Sequence, residues 1–172
     1  VSMAAVLIVD LIRQRPDYFQ KAVYISPMIF SNPTIAEELS YRTGNIGPFL
    51  RTKPVAWFVC HTVCEIKPLA RFTYRMVDTN NQPRDIVDDA TLHNWQSYSK
   101  SFKNILVNQA VAKNFADTHI DSIVIYGSDD KSIEQELFEK AAAGNKNITL
   151  QVSPVNHHPV LDDFEKTISL IS

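Results

Sequence analysis

The last third of the chain limits the fold class most. A β-branched and aromatic run, Ile123-Val124-Ile125-Tyr126, leads into the turn Gly127-Ser128-Asp129-Asp130. Helix-forming sequence then runs to about residue 143, where Gly144-Asn145 ends it. A second strand-like run at 148–152 follows, then a loop carrying His157 and His158, then a segment predicted as a closing helix over 161–171. Short apolar runs bounded by turn residues read as strands, and the 3.6-residue periods between them as helices. Strands that alternate with helices imply a parallel sheet with helices on its faces, because each parallel connection must cross back over the sheet.

The start of the chain uses the same pattern. Residues 3–15 predict a helix that Pro16 stops. Val6, Leu7, Val9, Leu11 and Ile12 give it apolar faces nearly all round, so it is expected to be buried. Residues 22–25 predict a short strand ended by Ser26-Pro27. Ser132 with Gln135 three residues on predicts a capping box for the next-to-last helix. In the closing helix, Phe164, Ile168 and Ile171 are expected to share one face.

Residues 28–118 have a different character, rich in proline and aromatics, with no convincing strand alternation. They predict helices near 34–42, 54–65, 68–76, 85–99 and 101–115. The expected organisation is therefore a core built from 1–27 and 119–172, with 28–118 as a helical insertion.

The composition narrows the class further. Apolar residues make up 45% of the 172, enough for a packed core rather than a disordered chain. A net charge of −2 with both signs mixed gives no footing for nucleic acid or an anionic membrane. No apolar stretch is long enough to span a bilayer. The opening run lacks the basic flank of a secretory signal, so a cytoplasmic location is expected. Asn147-Ile148-Thr149 fits a glycosylation acceptor only as a short pattern that arises easily by chance. Cys60-His61-x-x-Cys64 lacks the ligand count and spacing of a zinc site, and an i,i+4 disulfide within a helix has poor geometry. Both cysteines are expected to be free thiols. Residues 78–82 lack the central glycine and final glutamate of a calcium loop. No metal or cofactor is expected.

In open parallel sheets, ligands collect beyond the carboxyl ends of the strands. Ser26, the pair Asp129 and Asp130, and the pair His157 and His158 all follow predicted strands. Ser2 stands just before the first helix, where the carboxyl end of a preceding strand would place it. A serine needs a base to take its proton, histidine suits that task near neutral pH, and a carboxylate fixes the histidine tautomer. The chain offers these groups in the order serine, acid, histidine. The amide of Met3, at the start of the first helix, could donate to an oxyanion.

These residues resemble those of the α/β-hydrolase superfamily. Val1-Ser2-Met3-Ala4 is similar to its nucleophile elbow, G-x-S-x-G, with the first glycine absent and the last replaced by a small alanine. Residues 123–130 look like the family's acid strand and turn, in which the aspartate stands three after a glycine. That implies Asp130 rather than Asp129. Asn156-His157-His158-Pro159 looks like its histidine loop, with asparagine where glycine is usual, and implies His157 rather than His158. The likeness covers 1–27 and 119–172. The middle matches only as a helical cap inserted after the strand that follows the nucleophile helix.

The resemblance implies the C-terminal portion of an α/β-hydrolase fold with an inserted helical cap. The implied activity is a serine hydrolase acting on an ester, amide, thioester or activated carbon–carbon bond. Ser2 would be the nucleophile, His157 the base, Asp130 its partner, and the Met3 amide an oxyanion donor. A small, partly apolar substrate is expected from the aromatic insert, with Trp57, Phe58 and Trp95. The alternative is a non-catalytic remnant or small-ligand-binding module of the same fold. A sheet lacking the strand beneath Ser2 would leave an edge and an apolar face open. This chain alone is therefore expected to be unstable, oligomeric, or completed by a further N-terminal segment.

Overall fold

The computed structural model describes residues 1–40, 52–77, 92 and 94–171. The chain divides into two units, Val1–Ser40 with Asn104–Ser172, and Tyr41–Lys103. Residues 28–40 and 104–118, expected in the insertion, thus belong to the first unit.

The first unit is built on three parallel strands, β1 (Lys21–Ile25), β2 (Asp121–Gly127) and β3 (Ile148–Ser153), in the order β1-β2-β3. Val23 pairs with Ile123, and Val124 with Leu150. The central strand is buried from Val124 to Gly127, as a strand covered on both faces should be. Three helices share a core with Ala22, Tyr24, Val124, Tyr126 and Ile148: α1 (Ala4–Gln14), α6 (Ala112–Ala116) and α7 (Gln135–Gly144). Between them are α2 (Pro33–Ser40) in the first unit and α3 (Lys53–Val59), α4 (Lys67–Val77) and α5 (Trp95–Ser101) in the second.

The centre of the core is aromatic. Phe115 meets Tyr24 edge-on at 5.5 Å and Phe138 at 5.7 Å, and Tyr126 lies 5.9 Å from Phe138. Such edge contacts add to the area each ring removes from water. Asn145, ending α7, donates to the carbonyls of Ala116 and Thr118, both at 2.8 Å, and so ties the turn before β2 to the helix end.

Several expected elements differ. Helix α1 buries one face only: Ala5, Val6, Val9 and Ile12 are inside, while Leu7 and Leu11 are about half exposed. The capping box at Ser132 does not form. Helix α7 starts at Gln135 after Glu134, and the Gln135 amide group instead donates to the carbonyls of Ser128 and Asp130, both at 3.1 Å. The closing helix is two, α8 (Pro159–Asp162) and α9 (Phe164–Ser169). Asp163 interrupts it with non-helical backbone (φ −152°, ψ 79°) and caps α9 by accepting from the Lys166 amide at 3.2 Å. Phe164 and Ile168 are exposed, and Thr167 is buried in their place, its hydroxyl donating to the carbonyls of Pro159 and Asp163. The helix expected over 101–115 is a π-helical stretch, Phe102–Val107, then α6.

In the second unit, α3 (Lys53–Val59) widens into a π-helical turn, Cys60–Cys64, before α4 (Lys67–Val77). In that turn the His61 ring donates to the Trp57 carbonyl at 2.9 Å and the Thr62 hydroxyl to that of Phe58 at 2.7 Å. Helix α5 (Trp95–Ser101) begins at an Asn94–Ser97 capping box, with Asn94 extended, so no helix runs through 85–99 unbroken. Residues 85–91 and the dismissed calcium loop at 78–82 lie outside the described residues. Neither Cys60 nor Cys64 forms a disulfide. Among the described residues no cluster could hold a metal ion, and no helix is long and apolar enough to cross a membrane.

Ser26, directly after β1, is fully buried with φ of 43°, and its hydroxyl has no partner among the described residues. Left-handed backbone costs a serine about 1 kcal/mol, and an unpaired buried hydroxyl a similar amount. Ser26→Gly removes both. We expect it to raise stability by about 1 kcal/mol after glycine's extra chain entropy in the unfolded state, measured as a higher urea midpoint with unchanged slope.

Candidate active site

The three strands end at one side of the sheet, and the loops that follow β2 and β3 meet the turn before α1 there. Ser2 has φ of 52°, a conformation that costs a non-glycine residue about 1–2 kcal/mol. Backbone hydrogen bonds hold it there. Its amide donates to the Ile25 carbonyl at 2.8 Å, and its own carbonyl accepts from Ala5 at 3.1 Å and Met28 at 3.3 Å. The strained residue is therefore fastened to the end of β1 and to the first turn of α1. Met3 follows in helical conformation. Its amide donates to no backbone carbonyl among the described residues.

Asp130 closes the turn after β2, its amide donating to the Gly127 carbonyl at 3.2 Å. Gly127 is where the loop before His157 comes closest. A Cβ there would lie 2.0 Å from the Val155 carbonyl oxygen and 2.2 Å from that of Asn156. Only a residue without a side chain lets the histidine loop lie against the end of β2. The loop is fixed further by Ser128 donating to Ser153 at 2.8 Å and Asp129 to Val155 at 3.2 Å.

This packing brings together residues far apart in sequence. The Ser2 hydroxyl oxygen lies 3.0 Å from His157 Nε2. His157 Nδ1 lies 2.6 Å from Asp130 Oδ2 and donates to it, since a carboxylate only accepts. That bond leaves the Nε2 lone pair facing the serine. Asp130 and His157 are both buried, and Ser2 is partly exposed. The other carboxylate oxygen, Oδ1, accepts from the Ser132 amide at 2.9 Å and the Ser132 hydroxyl at 2.5 Å. Burial pushes the Asp130 carboxyl up. The hydrogen bond and charge of His157, with the two Ser132 donors, outweigh burial and hold it below its ordinary value.

Of the remaining expected residues, Asp129 is exposed and stands outside this chain of contacts. His158 sets its ring edge-on to His157 at 5.0 Å. Ser132 was expected to cap a helix and instead lies at the acid. Its spacing was the available signal, because an aspartate often accepts from the amide two residues on. A cleft of about 220 Å³, lined by Val9, Ile12, Tyr24, Phe115 and His119 among others, lies toward the amino ends of the strands and away from Ser2.

No protein family matches the chain in sequence, and no curated protein does. Solved structures do match in fold. The chain is similar to a carboxylesterase of the ammonia-oxidizing thaumarchaeon Nitrososphaera gargenis (TM-score 0.65, 14% identity, covering 99% of this chain and 60% of that one). It is similar to the carboxylesterase CesB of Bacillus subtilis (0.61, 16%, 99% and 56%). It is also similar to a meta-cleavage product hydrolase of Pseudomonas fluorescens IP01 (0.57, 9%, 99% and 60%). The chain carries the α/β-hydrolase fold, and it spans less than two thirds of the length of these structures.

Proposed function

We propose that the chain is the catalytic C-terminal part of a serine hydrolase that transfers an acyl group to water. The observation that carries this reading is the continuous relay from Ser2 Oγ through His157 to Asp130, at 3.0 and 2.6 Å. In the proposed reaction Ser2 Oγ bonds to the carbonyl carbon of the substrate as His157 Nε2 takes its proton. Negative charge on the substrate oxygen is stabilised by the Met3 amide. His157 then gives the proton to the leaving group, which departs and leaves an acyl-serine. Water attacks that ester, its proton again passing to His157 and back to Ser2. Asp130 keeps Nδ1 protonated throughout and balances the imidazolium charge. General base catalysis of this kind is worth about 10²–10⁴ in rate.

No metal or cofactor enters this chemistry. The similar structures include carboxylesterases and a meta-cleavage product hydrolase, which supports a range of scissile bonds. A small, partly apolar substrate remains our expectation from the aromatic insert. A cytoplasmic setting remains our expectation. Half-exposed Leu7 and Leu11 on α1, and a β1 paired only with β2 among the described residues, support completion of this edge by further polypeptide.

Fluorophosphonate labelling of the full-length chain tests the reading. We expect one label, on Ser2, absent in Ser2→Ala. A full-length chain whose Ser2 takes no label would sink the hydrolase reading and favour a ligand-binding module.

A further inference from the structure

We propose that Ser132 is a positioning residue, whose hydroxyl locks the Asp130 carboxylate and the His157 ring in the one arrangement that leaves Nε2 open to Ser2. Its effect on turnover rests on the hydrolase reading above. Its effect on the ring rests on geometry alone.

Ser132 Oγ lies 2.5 Å from Asp130 Oδ1 and 3.0 Å from His157 Nδ1, and the residue is buried. A serine hydroxyl has one proton and two lone pairs. Asp130 can only accept, so the proton goes to Oδ1. A lone pair then faces the Nδ1–H, which gives that hydrogen a second acceptor beside Oδ2. The four atoms close a ring of contacts. The Ser132 amide also holds Oδ1, at 2.9 Å, so what the hydroxyl adds is the bridge to Nδ1, which fixes the plane of the His157 ring against the carboxylate across an otherwise broad torsion. Among the described residues, the Ser132 hydroxyl makes no bond to the amides of α7.

The test compares Ser132→Ala, Ser132→Cys and Ser132→Thr in the full-length chain. The measurements are ester turnover and the proton resonance of His157 Nδ1–H. We expect Ser132→Ala to lower kcat about tenfold with KM unchanged. The Nδ1–H resonance should shift and exchange faster. Ser132→Cys fills the same space with a weak donor and should follow Ser132→Ala. Ser132→Thr keeps the hydroxyl and should restore both readouts. Parent-like kcat and resonance in Ser132→Ala would overturn the proposal. So would Ser132→Thr behaving no better than Ser132→Ala, because Ser132 would then serve packing alone. If the parent chain neither takes label nor turns over, the hydrolase reading has failed by itself. The resonance then decides the positioning role: a change in Ser132→Ala supports it and no change refutes it.

Discussion

In the proposed hydrolase, Asp130→Asn will lower kcat about ten-thousand-fold and leave the chain folded. The reason lies in how the carboxylate is bonded. Oδ1 faces two donors, the amide and hydroxyl of Ser132, so the asparagine must turn its oxygen there. Its NH₂ group then points at His157 Nδ1, where the carboxylate oxygen had accepted a proton. Two donors cannot face each other, so the imidazole must move its hydrogen to Nε2. That hydrogen points at Ser2 Oγ, and the base can no longer take the serine's proton. The amide has the size of the carboxylate and removes a buried charge, so the far-ultraviolet circular dichroism should be unchanged. Ester turnover within tenfold of the parent would contradict this tautomer argument.

Gly127→Ala should damage both stability and the site. The added methyl would meet two carbonyl oxygens and the Val155 carbonyl carbon, the nearest at 2.0 Å. All three are backbone atoms and cannot swing aside as a side chain end could. The histidine loop must retreat, breaking the bonds from Ser128 and Asp129 to it and drawing His157 from Asp130. We expect a loss of about 3 kcal/mol in stability, read from urea unfolding, with fluorophosphonate labelling lost under conditions where the chain remains folded. Gly144→Ala is the control. Nothing lies within 4 Å of a Cβ at that helical position, and alanine should stabilise it by about 0.5 kcal/mol.

The difference between Gly127 and Gly144 is also a measure of what sequence reading can reach. Both stand at the ends of strong periodic segments, and both read as terminators. Only the packing of Val155 and Asn156 makes one of them indispensable. The strands were legible because their β-branched runs are bounded by turn residues, as at Tyr24-Ile25-Ser26-Pro27. Helix α7 was legible for its length and its Gly-Asn stop. Helix α1 was legible as a helix, but not in its exposure, since Leu7 and Leu11 look the same to a periodicity count as Val6 and Val9. The closing helix was misread because Phe164 and Ile168 outweigh Thr167 on any hydropathy scale. Thr167 is buried because its hydroxyl has two carbonyl acceptors, a fact of the folded chain. At the candidate site, Asp130 and His157 stand out in sequence as residue types that follow strands, and Ser2 only as a serine before a helix, with the resemblance selecting among neighbours. Ser132 does not stand out, because a serine three residues before a glutamine matches a capping signal equally well.

The sheet pairs β1 directly with β2 although the whole of 41–103 emerges between them. The conformational entropy of closing such an excursion rises only with the logarithm of its length, about 0.6 kcal/mol for each doubling. A core held by Tyr24, Phe115 and Phe138 therefore scarcely registers how long the excursion is. Over evolutionary time this is a place where sequence can be gained, lost or exchanged at small thermodynamic cost. The contacts joining Ser2, His157 and Asp130 lie wholly outside it and need not change when it does.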